Sequence, residues 1–264
     1  MAYIKNKQEI EKIIEGGQIL GEILEDLAAM AKPGVTGFDI DMEAERRILE
    51  AGGKPAFKGY KSRKSDPAFP STICFSINDE IVHGIATKKK VIKDGDIVSI
   101  DIGMKYPAEG GYFTDTAITV PVGDVSEQAK QLLAVTKKSL YKAIKQATVG
   151  NVISDIGKTV EDYIEPQGYG IVRDLVGHGV GHGVHEEPRV PNYFDEELTR
   201  WKLESGVVIA IEPMITIGSY EVKTADDGWS ISTEDGSLSA HFEHTVVISK
   251  DGPIIATLRP SEKK

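Results

Sequence analysis

Four acidic residues stand inside or beside aliphatic and β-branched runs, a placement that few folds tolerate. Asp101 lies in Gly95-Asp96-Ile97-Val98-Ser99-Ile100-Asp101-Ile102-Gly103, and Asp115 opens the run Thr114-Asp115-Thr116-Ala117-Ile118-Thr119-Val120. Glu212 ends Val207-Val208-Ile209-Ala210-Ile211-Glu212, and Glu243 leads into His244-Thr245-Val246-Val247-Ile248. A carboxylate buried among such residues is costly unless it is paired or bound to metal. If the strands of Asp101 and Asp115 pair, two acids come close together.

The acids recur within a weak internal repeat. With an offset of 116, Gly34 matches Gly150, Asp39 matches Asp155, Ile40 matches Ile156, Glu45 matches Glu161, Ile48 matches Ile164 and Gly52 matches Gly168. The offset then slips by five, so that Gly95 leads to Asp101 as Gly206 leads to Glu212, and Phe113-Thr114-Asp115 resembles Phe242-Glu243. Two helices followed by acid-bearing strands, twice over, predict two αβ units about a pseudo-twofold axis, with one sheet and helices on its outer face. All four carboxylates then meet near that axis. The expected organisation is one domain over residues 1–264, with halves at roughly 5–122 and 123–255.

Apolar residues at three- and four-residue spacing predict a helix from Asn6 to Met30, ended by Pro33-Gly34, and a second from about Asp39 to Gly52-Gly53. Thr72 to Ile77 and Ile81 to Gly84 read as strands around an Asn78-Asp79 turn, with His83 at a strand end. Leu132 to Ile144 and Asp155 to Ile164 read as further helices. The basic stretch from Lys54 to Pro70 reads as a surface loop, and Lys88-Lys89-Lys90 as a solvated turn.

Gly177-His178-Gly179-Val180-Gly181-His182-Gly183-Val184-His185-Glu186-Glu187-Pro188 fits no core element. Glycine lets the main chain approach a ligand closely. The segment lacks both the Lys-Ser/Thr ending of a P-loop and the spacing of a dinucleotide turn. Metal binding, catalysis and a flexible loop with solvated histidines all remain open for it alone.

Net charge is -10, from 31 Lys+Arg against 41 Asp+Glu, which argues against nucleic acid as the main partner. Cys74 is the single cysteine and forms no internal disulfide, which fits a reducing compartment. Neither a signal peptide core nor a membrane-length apolar run is present, so the expected location is cytoplasmic. Four converging carboxylates balance the charge of two divalent ions. With one imidazole added, the donors suit Mn, Fe, Co or Zn. Such a pair, about 3.5 to 4 Å apart, activates water and polarises a carbonyl, which is machinery for hydrolysis.

The motifs Ile81-Val82-His83-Gly84, Ile100-Asp101, Asp115-Thr116, Gly177 to Gly181, His185-Glu186-Glu187-Pro188, Ile211-Glu212-Pro213-Met214 and Phe242-Glu243-His244-Thr245 resemble, in order, those of type I methionine aminopeptidases. The resemblance implies an α/β (α+β) pita-bread fold with a curved, mostly antiparallel sheet. It also implies two divalent ions held by Asp101, Asp115, His178, Glu212 and Glu243, with Asp115 and Glu243 bridging. Glu212 would handle the proton of the attacking water, His185 would face the scissile carbonyl and His83 the leaving amide. Tyr60, Phe69, Cys74 and Trp229 would form the methionine pocket.

The implied activity is removal of the initiator methionine before a small second residue. The implied partners are nascent N-termini and, transiently, the ribosome, which Lys61, Arg63, Lys64 and Lys88 to Lys90 would serve. The expected enzyme is a monomer of the short form typical of bacteria. Three features depart from the family pattern: His182 and Val184 replace the usual arginine-like and aromatic residues, and the loops at Lys58 to Pro70 and Tyr106 to Gly111 are long. The competing readings are an Xaa-Pro peptidase on the same fold, a peptide-binding module without catalysis, and a hydrolase of other small substrates.

Overall fold

The structure, a computed structural model, describes residues 4–61 and 67–263. Helix α1 spans Lys7–Ala29 and is started by Asn6, whose side chain accepts from the backbone N–H groups of Gln8 and Glu9 while Glu9 accepts from Asn6 N–H. Such reciprocal caps satisfy donors that the first helical turn leaves open. Helix α2 spans Gly37–Glu50, two residues earlier than the spacing predicts. Asp39 is not its first residue: it sits at the third helical position and accepts from Thr36 N–H at 3.0 Å. Helices α3 (Glu127–Ile144) and α4 (Ile153–Ile164) follow in the second half.

Positions matched by the repeat adopt matching local structure. Asp155 accepts from Val152 N–H at 2.9 Å, as Asp39 does from Thr36. The paired glycines share left-handed backbone, with φ of 90° and 98° at Gly34 and Gly150, 82° and 81° at Gly52 and Gly168, and 88° and 97° at Gly95 and Gly206. That backbone disfavours any residue carrying a Cβ, so the turns impose the same glycine in both halves.

Two sheets carry the acids. In one, the strand Ile97–Tyr106 pairs antiparallel with Ile73–Ile77, Tyr112–Pro121 and the short Lys54–Pro55. The other runs in the order Gly252–Ile255, His244–Ser249, Val208–Ile211, Gly177–Gly179, Glu186–Val190. Alternate residues of a strand point to opposite faces. Val98, Ile100, Ile102 and Met104 accordingly join Leu20, Leu24, Ile40 and Ile48 in a core under α1 and α2, which leaves Asp101 on the opposite face. Ile209, Ile211, Val246 and Ile248 pack likewise with α3 and α4 residues.

The halves are stitched at the acids. Asp115 N–H donates to Thr245 Oγ1 at 2.9 Å, and that hydroxyl donates to Asp115 O at 2.8 Å. Thr116 Oγ1 donates to Glu243 O at 2.8 Å, and Glu243 N–H to Ala117 O at 3.0 Å. Behind this seam the buried Arg259 reaches Ala117 O, Thr116 Oγ1, His244 Nε2 and Glu262. No helix among the described residues is long and apolar enough to cross a membrane.

Candidate metal centre and active site

Register brings the first two acids together. Asp101 faces Ala117 and Gly103 faces Asp115 across the Ile97–Tyr106 and Tyr112–Pro121 strands. Asp101 and Asp115 are thus diagonal neighbours on one face, within reach of each other. Asp115 lies well inside its strand rather than opening it. Glu212 and Glu243 differ from the expected placement in the opposite sense: their strands are Val208–Ile211 and His244–Ser249, so each stands one residue outside. His244 pairs with Ile211, and continuing that ladder by one step places Glu243 against Glu212.

His178 arrives on the neighbouring strand. Its Nε2 lies 3.8 Å from Asp115 Oδ2 and 3.6 Å from Glu212 Oε1. Its Nδ1 lies 2.9 Å from Gly179 O, a contact that requires the Nδ1–H tautomer and frees the Nε2 lone pair for a ligand. Asp101, Asp115 and Glu243 form one close group of donor atoms, His178, Glu212 and Glu243 a second, and Asp115, His178 and His185 a third, each within 4.8 Å.

Electrostatics and hydrogen bonding both call for a cation. Asp101 Oδ1, Asp115 Oδ1 and Glu243 Oε1 are buried without a hydrogen-bond partner, although buried polar atoms nearly always have one. Burial and mutual repulsion push the carboxyls of Asp115 and Glu243 well above the usual range, and burial raises that of Asp101. Glu212 goes the other way: burial would raise it, but contact with His241, whose Nε2 lies 3.4 Å from Glu212 Oε2, holds it low. A donor set of four carboxylates and one imidazole with orphaned oxygens fits divalent cations.

The donors line a cavity of about 470 Å³. Its apolar part is built by Phe57, Phe69, Cys74 and Val184, against which Tyr60 and Trp229 pack. Phe69 and Trp229 meet edge to face at 5.2 Å. Cys74 pairs with Asp101 in the sheet, and burial followed by the charges of Asp101 and Asp115 keeps its thiol protonated. His185 Nδ1 lies 2.9 Å from the Tyr60 hydroxyl, and its ring is 4.4 Å from that of His178. Desolvation on its cavity side, then the neighbouring His178, depresses the imidazole of His185 to about 3 although its outer edge is exposed, and burial depresses that of His83 to about 4, so both are neutral near pH 7. His83 stands just beyond the strand Glu80–Val82, not in it, with φ 58° and a ring 6.3 Å from Trp229.

Other expectations change. Lys90 is no solvated turn residue: its ammonium bonds Glu80 Oε2 at 2.7 Å and Phe75 O at 3.1 Å. The Tyr106 to Gly111 loop does not reach the mouth; Ala108 N–H donates to Gly52 O, and Tyr106 abuts Gly16 of α1. Arg63 and Lys64 lie outside the described residues. Phe57 and His241 escaped the sequence reading, and Val184 entered it only as a departure from the family pattern. His241 had a usable signal, since it stands two residues before Glu243.

An ion pair holds the histidine turn from behind. Lys5, fully buried, bonds Glu186 Oε2 at 2.6 Å, and Glu186 Oε1 accepts from Gly183 N–H. Removing one partner of a buried pair strands the other charge. Lys5→Met is expected to lower stability in urea unfolding by about 2 to 4 kcal/mol, and Lys5→Met/Glu186→Gln to recover part of that loss. Equal stability of wild type and both variants would remove the pair from any role in holding the turn.

Comparison with known proteins places this geometry in a family. The profile described as metallopeptidase family M24 matches residues 11–250. A methionine aminopeptidase of Aquifex aeolicus is 48% identical over 253 residues, covering 96% of this chain and 97% of that protein. One of Clostridium acetobutylicum is 46% identical over 258 residues, with 98% and 99% covered. The crystal structure of methionine aminopeptidase from Thermotoga maritima superposes with a TM-score of 0.90 at 38% identity, covering 96% of this chain and 98% of that one. The architecture is accordingly the pita-bread fold, and the chain belongs to metallopeptidase family M24, among its methionine aminopeptidases.

Proposed function

We propose that the chain removes an N-terminal methionine from peptides and nascent polypeptides whose second residue is small, using two divalent ions. The observation that carries this reading is the convergence of unpartnered carboxylate oxygens and His178 Nε2 beside an aromatic-lined cavity. Methionine is flexible and polarizable, and its sulfur packs well on aromatic edges.

In this reading Asp101, Asp115, His178, Glu212 and Glu243 would hold the ions. Divalent ions, when bound, lower the pKa of water and polarise a carbonyl. Glu212, kept ionised, takes the proton of the attacking water and returns it to the leaving amide nitrogen. With the Tyr60 hydroxyl donating to Nδ1 of His185, the Nε2–H of that neutral imidazole is free to donate to the carbonyl oxygen as charge develops there. His83, also in the cavity lining, faces the leaving amide. Tyr60, Phe69, Cys74 and Trp229, with Phe57 and Val184, enclose the methionine side chain.

The catalytic unit is one domain of two halves on one polypeptide, since every assigned group comes from this chain, and we read it as a cytoplasmic monomer. The exposed Lys61, Lys88 and Lys89 are the described basic residues open to ribosome contact. The test is release of methionine from Met-Ala-Ser by metal-stripped protein titrated with Mn, Co, Fe and Zn. Metal-dependent cleavage of Met-Ala-Ser, with Leu-Ala-Ser left intact, is expected. No cleavage by protein that has bound two ions would favour a peptide-binding module instead.

A further inference from the structure

Of the residues lining the cavity, only His185, Glu187 and Arg189 are exposed; the rest are buried or half-buried. All three lie on or next to Glu186–Val190, the edge strand of the five-stranded sheet. The mouth therefore opens over that edge. A polypeptide whose first residue occupies the interior leaves past these three side chains.

Arg189 is the Cα partner of His178 in this sheet. Directly opposed residues of an antiparallel pair project from the same face, so Arg189 rises beside the imidazole, one strand spacing (about 4.8 Å) further out. The pairing then jumps, with Gly179 opposite Glu186, so Glu187 and Pro188 bulge between. Among the described residues Arg189 is the sole lysine or arginine lining the cavity, beside six carboxylates: Asp101, Asp115, Glu186, Glu187, Glu212 and Glu243. Two divalent ions offset four of these and Lys5 offsets Glu186. Without Arg189, the mouth would present Glu187 alone and repel acidic peptides. Among the described residues Arg189 makes no ion pair, and its planar fork of donors suits a carboxylate.

Resting on the proposed aminopeptidase reading, we infer that Arg189 is a specificity residue for the chain beyond the cleaved bond, favouring substrates with a carboxylate side chain at the third or fourth position. Because the contact is remote from the scissile amide and equal in ground and transition states, it acts through KM.

Wild type, Arg189→Gln and Arg189→Glu are compared on C-terminally amidated peptides: Met-Ala-Ser-Ser, and versions with Asp or Lys at position three or four. Wild type is expected to favour Asp over Lys by about two- to fivefold in kcat/KM, the scale of an exposed ion pair. The ratio falls to one or somewhat below in Arg189→Gln, which leaves Glu187 alone, and inverts further in Arg189→Glu, where two acids then share the mouth. In wild type it shrinks as ionic strength rises from about 0.02 to about 0.3 M, because screening acts on exposed charges. An Asp-to-Lys ratio that is the same in wild type and Arg189→Gln overturns the inference. Cleavage of the neutral peptide alongside that result leaves the proposed function standing; no cleavage of any peptide sinks both.

Discussion

Asp115→Asn is expected to cut kcat/KM for Met-Ala-Ser by roughly 10³ or more while leaving the chain folded, the scale of losing a charge aimed at the reacting centre. Asp115 belongs to two of the three close donor groups, and its Oδ1 is buried without a partner. An amide of the same shape keeps the backbone seam to Thr245, since that uses Asp115 N–H and O. It removes one negative charge and one oxygen donor. Thermal melting reads the same substitution without any turnover. Ions that bind only the folded chain stabilise it by about 2.7 kcal/mol at a concentration one hundred times Kd, and this gain should shrink in Asp115→Asn. Without ions the sign reverses: burial beside Asp101 and Glu212 makes the wild-type carboxylate unfavourable, so the metal-free variant should be no less stable than metal-free wild type. Glu243→Gln should behave alike. Full activity in either variant would remove that residue from the centre.

Local signals in the sequence translate well into structure. The period of apolar residues places α1 within a residue at each end, because Asn6 and Pro33-Gly34 bound it by capping and backbone geometry alone. Asp101 in an aliphatic run is legible for the same reason: alternate residues of a strand face apart, so one acid among Val98, Ile100 and Ile102 must face away from their core. The start of α2 was less legible, since both Thr36 and Asp39 are capping residues and only their reciprocal hydrogen bonds decide between them.

Contacts between distant segments were not legible. Phe57 closes the aromatic pocket from a position with no pattern of its own. The partner of Glu186 is Lys5, 181 residues away. Glu212 and Glu243 fall outside their strands because hydrogen-bonded pairing stops at His244 and Ile211, a register that composition does not set. Lys90 reads as a surface charge until the fold supplies Glu80. What the sequence carries for the site is therefore the type of donor and its spacing along each strand, while the second layer behind the donors depends on tertiary packing.

His185→Ala is expected to keep the metal-dependent rise in melting temperature and still lower kcat by about 10² to 10⁴, the range for a lost proton donor or oxyanion contact. The ring is neutral, because lost solvent on its cavity side and the neighbouring His178 depress it to about 3, so near pH 7 one nitrogen carries the only proton. Tyr60 engages Nδ1, which directs Nε2 to the cavity. Donation by Nε2–H matters most when the carbonyl oxygen gains charge, so the loss should fall on kcat more than on KM. Tyr60→Phe separates positioning from chemistry. It keeps the aromatic wall but releases Nδ1, and should cost less than His185→Ala because the Nε2–H tautomer stays populated, only no longer enforced. A His185→Ala protein that no longer gains stability from added Mn or Co would instead make His185 a ligand, as its closeness to Asp115 and His178 permits. Retained ion binding with a slow kcat would leave it the donor to the carbonyl oxygen.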